Sequence, residues 1–191
     1  MVASSRAERF DALYQTAEAQ SGFFTAAQAH EAGYSPRLLT HHAARSHFER
    51  RGRGIYRLVH FPQLSDAEDL IVHWLWSART GVFSHETALQ LHQLSDALPS
   101  RVYMTLPLDW AKRRLRSPEV LRLYYDGVGR HELAQLKGVP VTTPARTVND
   151  CARAYVLPDL VQQAVREGLE RKLFEEREIG PALSYVREQC G

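Results

Sequence analysis

Apolar positions recur at helical spacing near the start of the chain and then alternate where it turns to strand. Phe10, Leu13, Tyr14 and Ala17 mark one helical face that ends at Gly22, a face suited to packing across the helices that follow. Thr25 is a good N-cap with Gln28 three residues on, and Ala26, Ala27 and Ala29 favour a short helix stopped by Gly33. Ser35 and Pro36 start another helix, in which Leu38, Leu39 and Ala43 form the face to bury. Arg37, His41 and Arg45, spaced by four, share the opposite face, with Thr40 and Ala44 beside them. Phe48 opens a strand, Arg50 to Gly54 make a basic turn, and Ile55 to Leu58 return, with Ile55 and Arg57 on one side and Tyr56 and Leu58 on the other. Phe23 and Phe24 suit either a hydrophobic staple or a very short strand against this hairpin. The pattern predicts a winged helix-turn-helix over residues 1–60.

After Phe61-Pro62-Gln63-Leu64, a short linker, Ser65 and Glu68 suggest a capping box. The helix that follows, reaching about Arg79, is expected to open a second domain over 65–191, with Leu70, Ile71, Trp74 and Leu75 inward. Gly81-Val82-Phe83 reads as extended, and Ser84 caps a short helix from His85 to Leu91. Arg101 to Leu106 and Val120 to Tyr125 read as partner strands joined by a charged hairpin loop, and Val139 to Thr142 as a third extended piece. Thr143-Pro144 starts a helix carrying Val148, Ala152 and Tyr155, another begins at Pro158, and a last one covers about 178–189. The fold class expected is α+β: a winged helix-turn-helix followed by a mixed α/β domain.

Charge matters here through its placement. The formal net charge is only +2, and 44% hydrophobic and 24% charged residues are ordinary for a soluble globular protein. Yet from Arg37 to Arg57 six arginines face a single acid, Glu49, a local charge of +5. Arg37, Thr40, His41, Ala44 and Arg45 are therefore the candidate major-groove residues, and Arg50, Arg51, Arg53 and Arg57 the candidate phosphate contacts of the wing. Lys112, Arg113, Arg114 and Arg116 form a second basic cluster, suited to an acidic protein or to nucleic acid. Arg146 falls in a first helical turn, which the helix dipole disfavours, so a specific carboxylate or carbonyl partner is expected. With Ser84, His85, Thr143 and Pro144 it reads as a residue that maintains the fold.

Chemistry beyond binding finds little support. Cys151 and Cys190 are far apart with no CxxC, so neither a disulfide framework nor a cysteine zinc site is expected, and no histidine stands in HExxH. Glu170-Arg171-Lys172, with Asp150 or Asp159 upstream, resembles the string of metal-dependent nucleases. In a helix, however, Glu170 and Lys172 point about 200° apart. No enzyme, no metal and no cofactor are expected, and no stretch is apolar enough for a membrane span, so the expected location is the cytoplasm.

The chain resembles the AbiE-type antitoxins (the AbiEi family) of bacterial type IV toxin–antitoxin and abortive-infection systems. The resemblance lies in the N-terminal segment with GRGIYRL, in GVFSHETAL at 81–89, in Arg101 to Pro107, and in GVPVTTPARTV at 138–148. It implies a winged helix-turn-helix that binds double-stranded DNA at inverted repeats of its own promoter. It also implies a C-terminal domain that neutralises a nucleotidyltransferase-type toxin, without the endonuclease-like domain of some relatives, for which 191 residues leave no room. Two other readings fit the residues: a regulator of another operon with no toxin partner, and a winged module that binds protein and no DNA.

Overall fold

The computed structural model describes residues 5–62, 67–114 and 116–190. The chain divides into two units, Met1–Arg79 and Thr80–Gly191.

The first unit is built from local signals. Helix α1 (Arg6–Glu18) starts in a Ser5/Glu8 capping box, and strand β1 (Phe23–Thr25) leads into α2 (Ala26–Glu31). The Thr25/Gln28 box is formed: Gln28 N–H donates to Thr25 Oγ1 at 3.2 Å and Thr25 N–H to Gln28 Oε1 at 2.8 Å. Gly33 turns the chain at φ +89°, and Ser35 Oγ accepts from Leu38 N–H at 3.2 Å to start α3 (Pro36–Ala44). Strands β2 (Phe48–Gly52) and β3 (Ile55–Leu58) form a hairpin with a bulge near Arg50/Gly52, and β1 pairs with β3, giving the antiparallel order β1-β3-β2. Of the two roles open to Phe23 and Phe24, the short strand is the one adopted.

Both faces of this small sheet are covered. Phe24, Phe48 and Leu58 join Leu13, Ala17, Ala29, Tyr34 and Leu39 in the core under α1, α2 and α3. Helix α4 (Glu68–Trp76) packs on β1 and β3 and buries Ile71 and Leu75. The helix expected to open the second domain therefore belongs to the first unit, because Phe23 and Ile55 need a cover that the three N-terminal helices do not supply. The Ser65 cap lies outside the described residues, and Ala67 at the helix start makes no side-chain capping bond. The α1 face is wider than the core needs: Leu13 and Ala17 are fully buried, whereas Phe10 and Tyr14 stay 45% and 37% exposed.

The second unit is a five-stranded mixed sheet in the order β6-β5-β4-β8-β7 with helices α5 to α8. β4 (Val82–Phe83) runs antiparallel to β5 (Val102–Leu106) and parallel to β8 (Val139–Thr142). β5 and β6 (Leu121–Tyr125) are parallel, with Thr105 opposite Tyr124. The expected hairpin between them is thus a crossover, since parallel neighbours cannot be joined by a tight turn. The basic segment lies within it. β7 (Leu133–Leu136), absent from the sequence reading, pairs with β8 through Lys137-Gly138, both at positive φ.

Helices α5 (His85–His92), α6 (Pro144–Arg153), α7 (Pro158–Glu170) and α8 (Gly180–Cys190) enclose a core of Leu89, Val148, Cys151, Val161, Ala164 and Ile179. Tyr155, expected on the buried face of α6, is 79% exposed and lies beyond the helix at φ +54°. Inside α7, Gly168 meets the Phe174 ring so closely that a Cβ there would sit 2.0 Å from Cζ. Gly168→Ala is expected to destabilise this unit by about 1–3 kcal/mol despite alanine's better helix propensity. A thermal melt reads the sign: stabilisation would mean that Phe174 has somewhere else to go.

Candidate nucleic-acid interface

The outward face of α3 is where its capping and apolar positions put it. Leu39 is buried and Leu38 half-buried, while Arg37, Thr40, His41, Ala44 and Arg45 are all exposed. Arg45 sits one residue past the helix as its C-cap, and Thr40 Oγ1 donates back to Pro36 O at 3.0 Å. Among the described residues neither Arg37 nor Arg45 has an ion-pair partner, and both side chains are exposed. His42 turns inward. It lies 5.1 Å from the Phe48 ring and 5.5 Å from Tyr34, with its Nδ1 3.3 Å from that of His47. Burial, then the neighbouring His47, His41, Arg6 and Arg45, lower its pKa.

The hairpin arginines do not behave alike. Arg50 and Arg53 are exposed, and Arg50 Nε donates to Gly52 O at 3.2 Å. Arg57 is only 8% exposed, and its guanidinium lies 3.0 Å from Glu68 of α4 and donates to Phe61 O at 2.9 Å. Arg51 is half-buried, 3.6 Å from both Glu68 and Asp69 and 3.7 Å from Glu49. Both guanidinium groups also lie over the Phe23 ring, at 5.9 and 5.8 Å. This corrects the wing assignment for Arg57: it faces the covered back of the sheet and is neutralised there. Arg51 is compromised in the same way, though partly open. The acids responsible, Glu68 and Asp69, lie outside the Arg37–Arg57 window on which the charge count was made.

In the second unit, Arg113 is also committed. It pairs with Asp109 and lies 4.4 Å over the ring of the buried Trp110. Lys112, Arg114 and Arg116 remain exposed.

Arg146 has three carboxylate partners. Its Nε donates to Asp150 at 2.7 Å, one terminal nitrogen donates to both Glu132 oxygens at 2.9 Å, and the other donates to Asp126 at 2.6 Å. Burial opposes the charge on Arg146, but these partners outweigh it and raise its pKa. Thr143 lacks the side-chain capping bond expected of it; the corner is closed by Thr142 and Thr147, whose hydroxyls lie 2.7 Å apart, and Pro144 opens α6. Ser84 is fully buried, accepts from Thr105 Oγ1 at 2.8 Å and lies 2.9 Å from His85 Nδ1. The His85 ring stacks on Tyr124 at 3.7 Å, and burial, followed by the charge of Arg146, lowers its pKa to about 4. A polar cleft of about 220 Å³ opens among His85, Thr105, Tyr124, Asp126, Arg146 and Asp150. Neither Asp126, Glu132 nor Tyr124 carried a sequence signal, because their partners are distant in the chain. Among the described residues, no group of three His, Cys, Asp or Glu side chains is placed to hold a metal ion, and no helix is long and apolar enough to cross a membrane.

A short helix start, an exposed basic helix face and a hairpin tip with two exposed arginines make a surface suited to a polyanion. That surface falls within residues 11–59, which match the model of a family described as "Transcriptional regulator, AbiEi antitoxin". The N-terminal segment is thus of the AbiEi antitoxin type that the sequence resembles. No curated protein matches the chain. Among solved structures, the RV2827C protein from Mycobacterium tuberculosis is similar with a TM-score of 0.53 at 15% identity, over 95% of this chain and 73% of that one. At such identity the likeness is one of fold.

Proposed function

We propose that the protein is a DNA-binding, antitoxin-type autoregulator whose first unit works as a winged helix-turn-helix. The observation that carries this is the joint exposure of Arg37, His41 and Arg45 on α3 with Arg50 and Arg53 on the hairpin, inside the segment matching the AbiEi regulator family. In this reading Arg37, Thr40, His41, Ala44 and Arg45 meet base edges in the major groove of promoter inverted repeats. Arg50 and Arg53 hold phosphates, with Arg51 in a lesser role. Side chains radiating from a hairpin tip cannot keep a fixed bidentate geometry, so they contribute affinity more than sequence choice.

Filter binding from low to high salt tests this. The double change Arg50→Gln/Arg53→Gln is expected to lower the salt slope by about 2 on any duplex, since each phosphate contact accounts for about 0.9. Arg37→Ala/Arg45→Ala is expected to cost about 1–3 kcal/mol of discrimination between the promoter and unrelated DNA. An unchanged slope in the hairpin variant removes the wing from the proposal.

The antitoxin half of the reading rests on the family match. That match ends at residue 59, and our reading extends it by giving the second unit the task of neutralising a nucleotidyltransferase-type toxin, with Lys112, Arg114 and Arg116 as the candidate contact surface. Neutralising these three is expected to abolish rescue from such a toxin in cells while leaving the salt slope intact. Rescue at the wild-type level would reject that surface.

A further inference from the structure

The first unit holds a cavity of about 290 Å³ at the ends of β2 and β3 that lie away from the Arg53-Gly54 turn. Its floor is the outer edge of the core, formed by Tyr34, Phe48, Leu58 and Phe61. One wall is the surplus face of α1, where Phe10 and Tyr14 remain open to solvent. Among the described residues, the cationic and imidazole groups at this cavity are Arg6, His42, His47 and His60, and no carboxylate lines it. An aromatic bed ringed by cationic and imidazole donors, with no acid among the described lining residues, is suited to an anion.

We propose that this cavity binds a small aromatic anion, a body of one or two fused rings bearing a carboxylate, and that its occupancy acts on α3. The volume lies at the lower end of small-molecule sites and fits such a body. The ring faces of Phe10, Tyr14 and Phe61 suit stacking against it, and a carboxylate accepts charge-assisted bonds from Arg6 and from imidazole N–H groups in either protonation state. A second copy of the chain is a poor occupant. A two-fold contact sets a patch against itself, placing Arg6 and the three histidines opposite the same groups. The reach to α3 is short: His42 is on that helix, and Tyr34 precedes its cap. A ligand seated between α1 and the strand ends also meets His42 of α3, and by linkage the factor by which it changes DNA affinity equals the factor by which DNA changes its own. That coupling rests on the DNA-binding reading; the ligand site does not.

The probe is 2-naphthoate, titrated into the full chain without DNA and followed by NMR of the histidine rings. Saturable shifts at His42 and His47 are expected, with 2-naphthamide binding about tenfold more weakly for want of the charge. Val59→Trp, which fills the cavity from a residue 36% exposed, is expected to abolish binding with the melting temperature unchanged. Failure to saturate, equal binding of the amide, or undiminished binding by Val59→Trp would overturn the site. In a second arm, duplex affinity is measured with and without saturating 2-naphthoate; no change overturns the action on α3. A protein that binds no duplex in either condition is instead the failure of the DNA-binding reading, and it leaves the first arm to stand or fall by itself.

Discussion

Arg146→Ala is expected to destabilise the second unit by about 3–5 kcal/mol, because it strands a buried carboxylate whose partner has been removed. Asp150 is 6% exposed and takes its short contact from Arg146 Nε, while Arg153 reaches it only at 3.4 Å from a largely exposed position. The same guanidinium ties the end of β6, at Asp126, to the turn before β7, at Glu132, and to α6. Lysine cannot repeat this, since a point-like ammonium cannot serve three carboxylates arranged around a planar fork. A fall of about 10–20 °C in the melting temperature of this unit is expected for Arg146→Ala, and a substantial part of it for Arg146→Lys. A lysine variant as stable as wild type would show that charge alone suffices.

The pH dependence separates the two principal carboxylates. At Glu132 burial raises the pKa, but the Gly129 N–H and the Arg146 bonds outweigh it, so the net shift is downward from 4.5. A depressed folded value means that Glu132 adds stability above its unfolded pKa and loses it as pH falls through the folded one. At Asp150 burial exceeds the pull of Arg146 and the net shift is upward from 3.8. Asp150 therefore has the opposite sign: its protonated form favours folding, and that advantage fades as pH rises through its folded value. Urea melts across the acid range should show the Glu132 component in wild type and a much smaller one in Arg146→Ala. Parallel profiles would mean that the arginine does not hold Glu132 down.

Arg57→Ala is expected to cost the first unit up to about 3 kcal/mol, for the buried Glu68 then loses its 3.0 Å partner and keeps only the half-buried Arg51 at 3.6 Å. The informative variant removes both charges. Arg57→Met with Glu68→Met takes away the ion pair and its desolvation together, and is expected to fall within about 1 kcal/mol of wild type. Its salt slope on duplex DNA should match wild type, in contrast to Arg50→Gln/Arg53→Gln. A slope lowered by about 0.9 in the double methionine variant would put Arg57 back among the phosphate contacts.

The contrast between Arg50 and Arg57 shows where sequence reasoning stops. Alternation along β3 correctly placed Ile55 and Arg57 on one side and Tyr56 and Leu58 on the other, but it does not say what covers each side. The back of the sheet is closed by α4, and only that packing brings Glu68 to Arg57 and Asp69 to Arg51. Likewise, alternation in 101–106 and 120–125 identified two strands without their relative direction. Parallel pairing is decided by the order β6-β5-β4-β8-β7 as a whole.

By itself the sequence determined what depends on neighbours within a turn or two of the chain. The Thr25/Gln28 box, the Gly33 corner, the Ser35-Pro36 start and the exposed face of α3 are closed by bonds between residues three or four apart, and each formed as its residue types require. The need of Arg146 for a partner was legible too, since the helix dipole is a local field. Which partners it found, which of the hairpin arginines stay free, and the cavity left beside the surplus face of α1 were decided by tertiary structure. Each depends on groups brought together from distant parts of the chain, and burial then sets whether a charge is matched or left to seek a ligand.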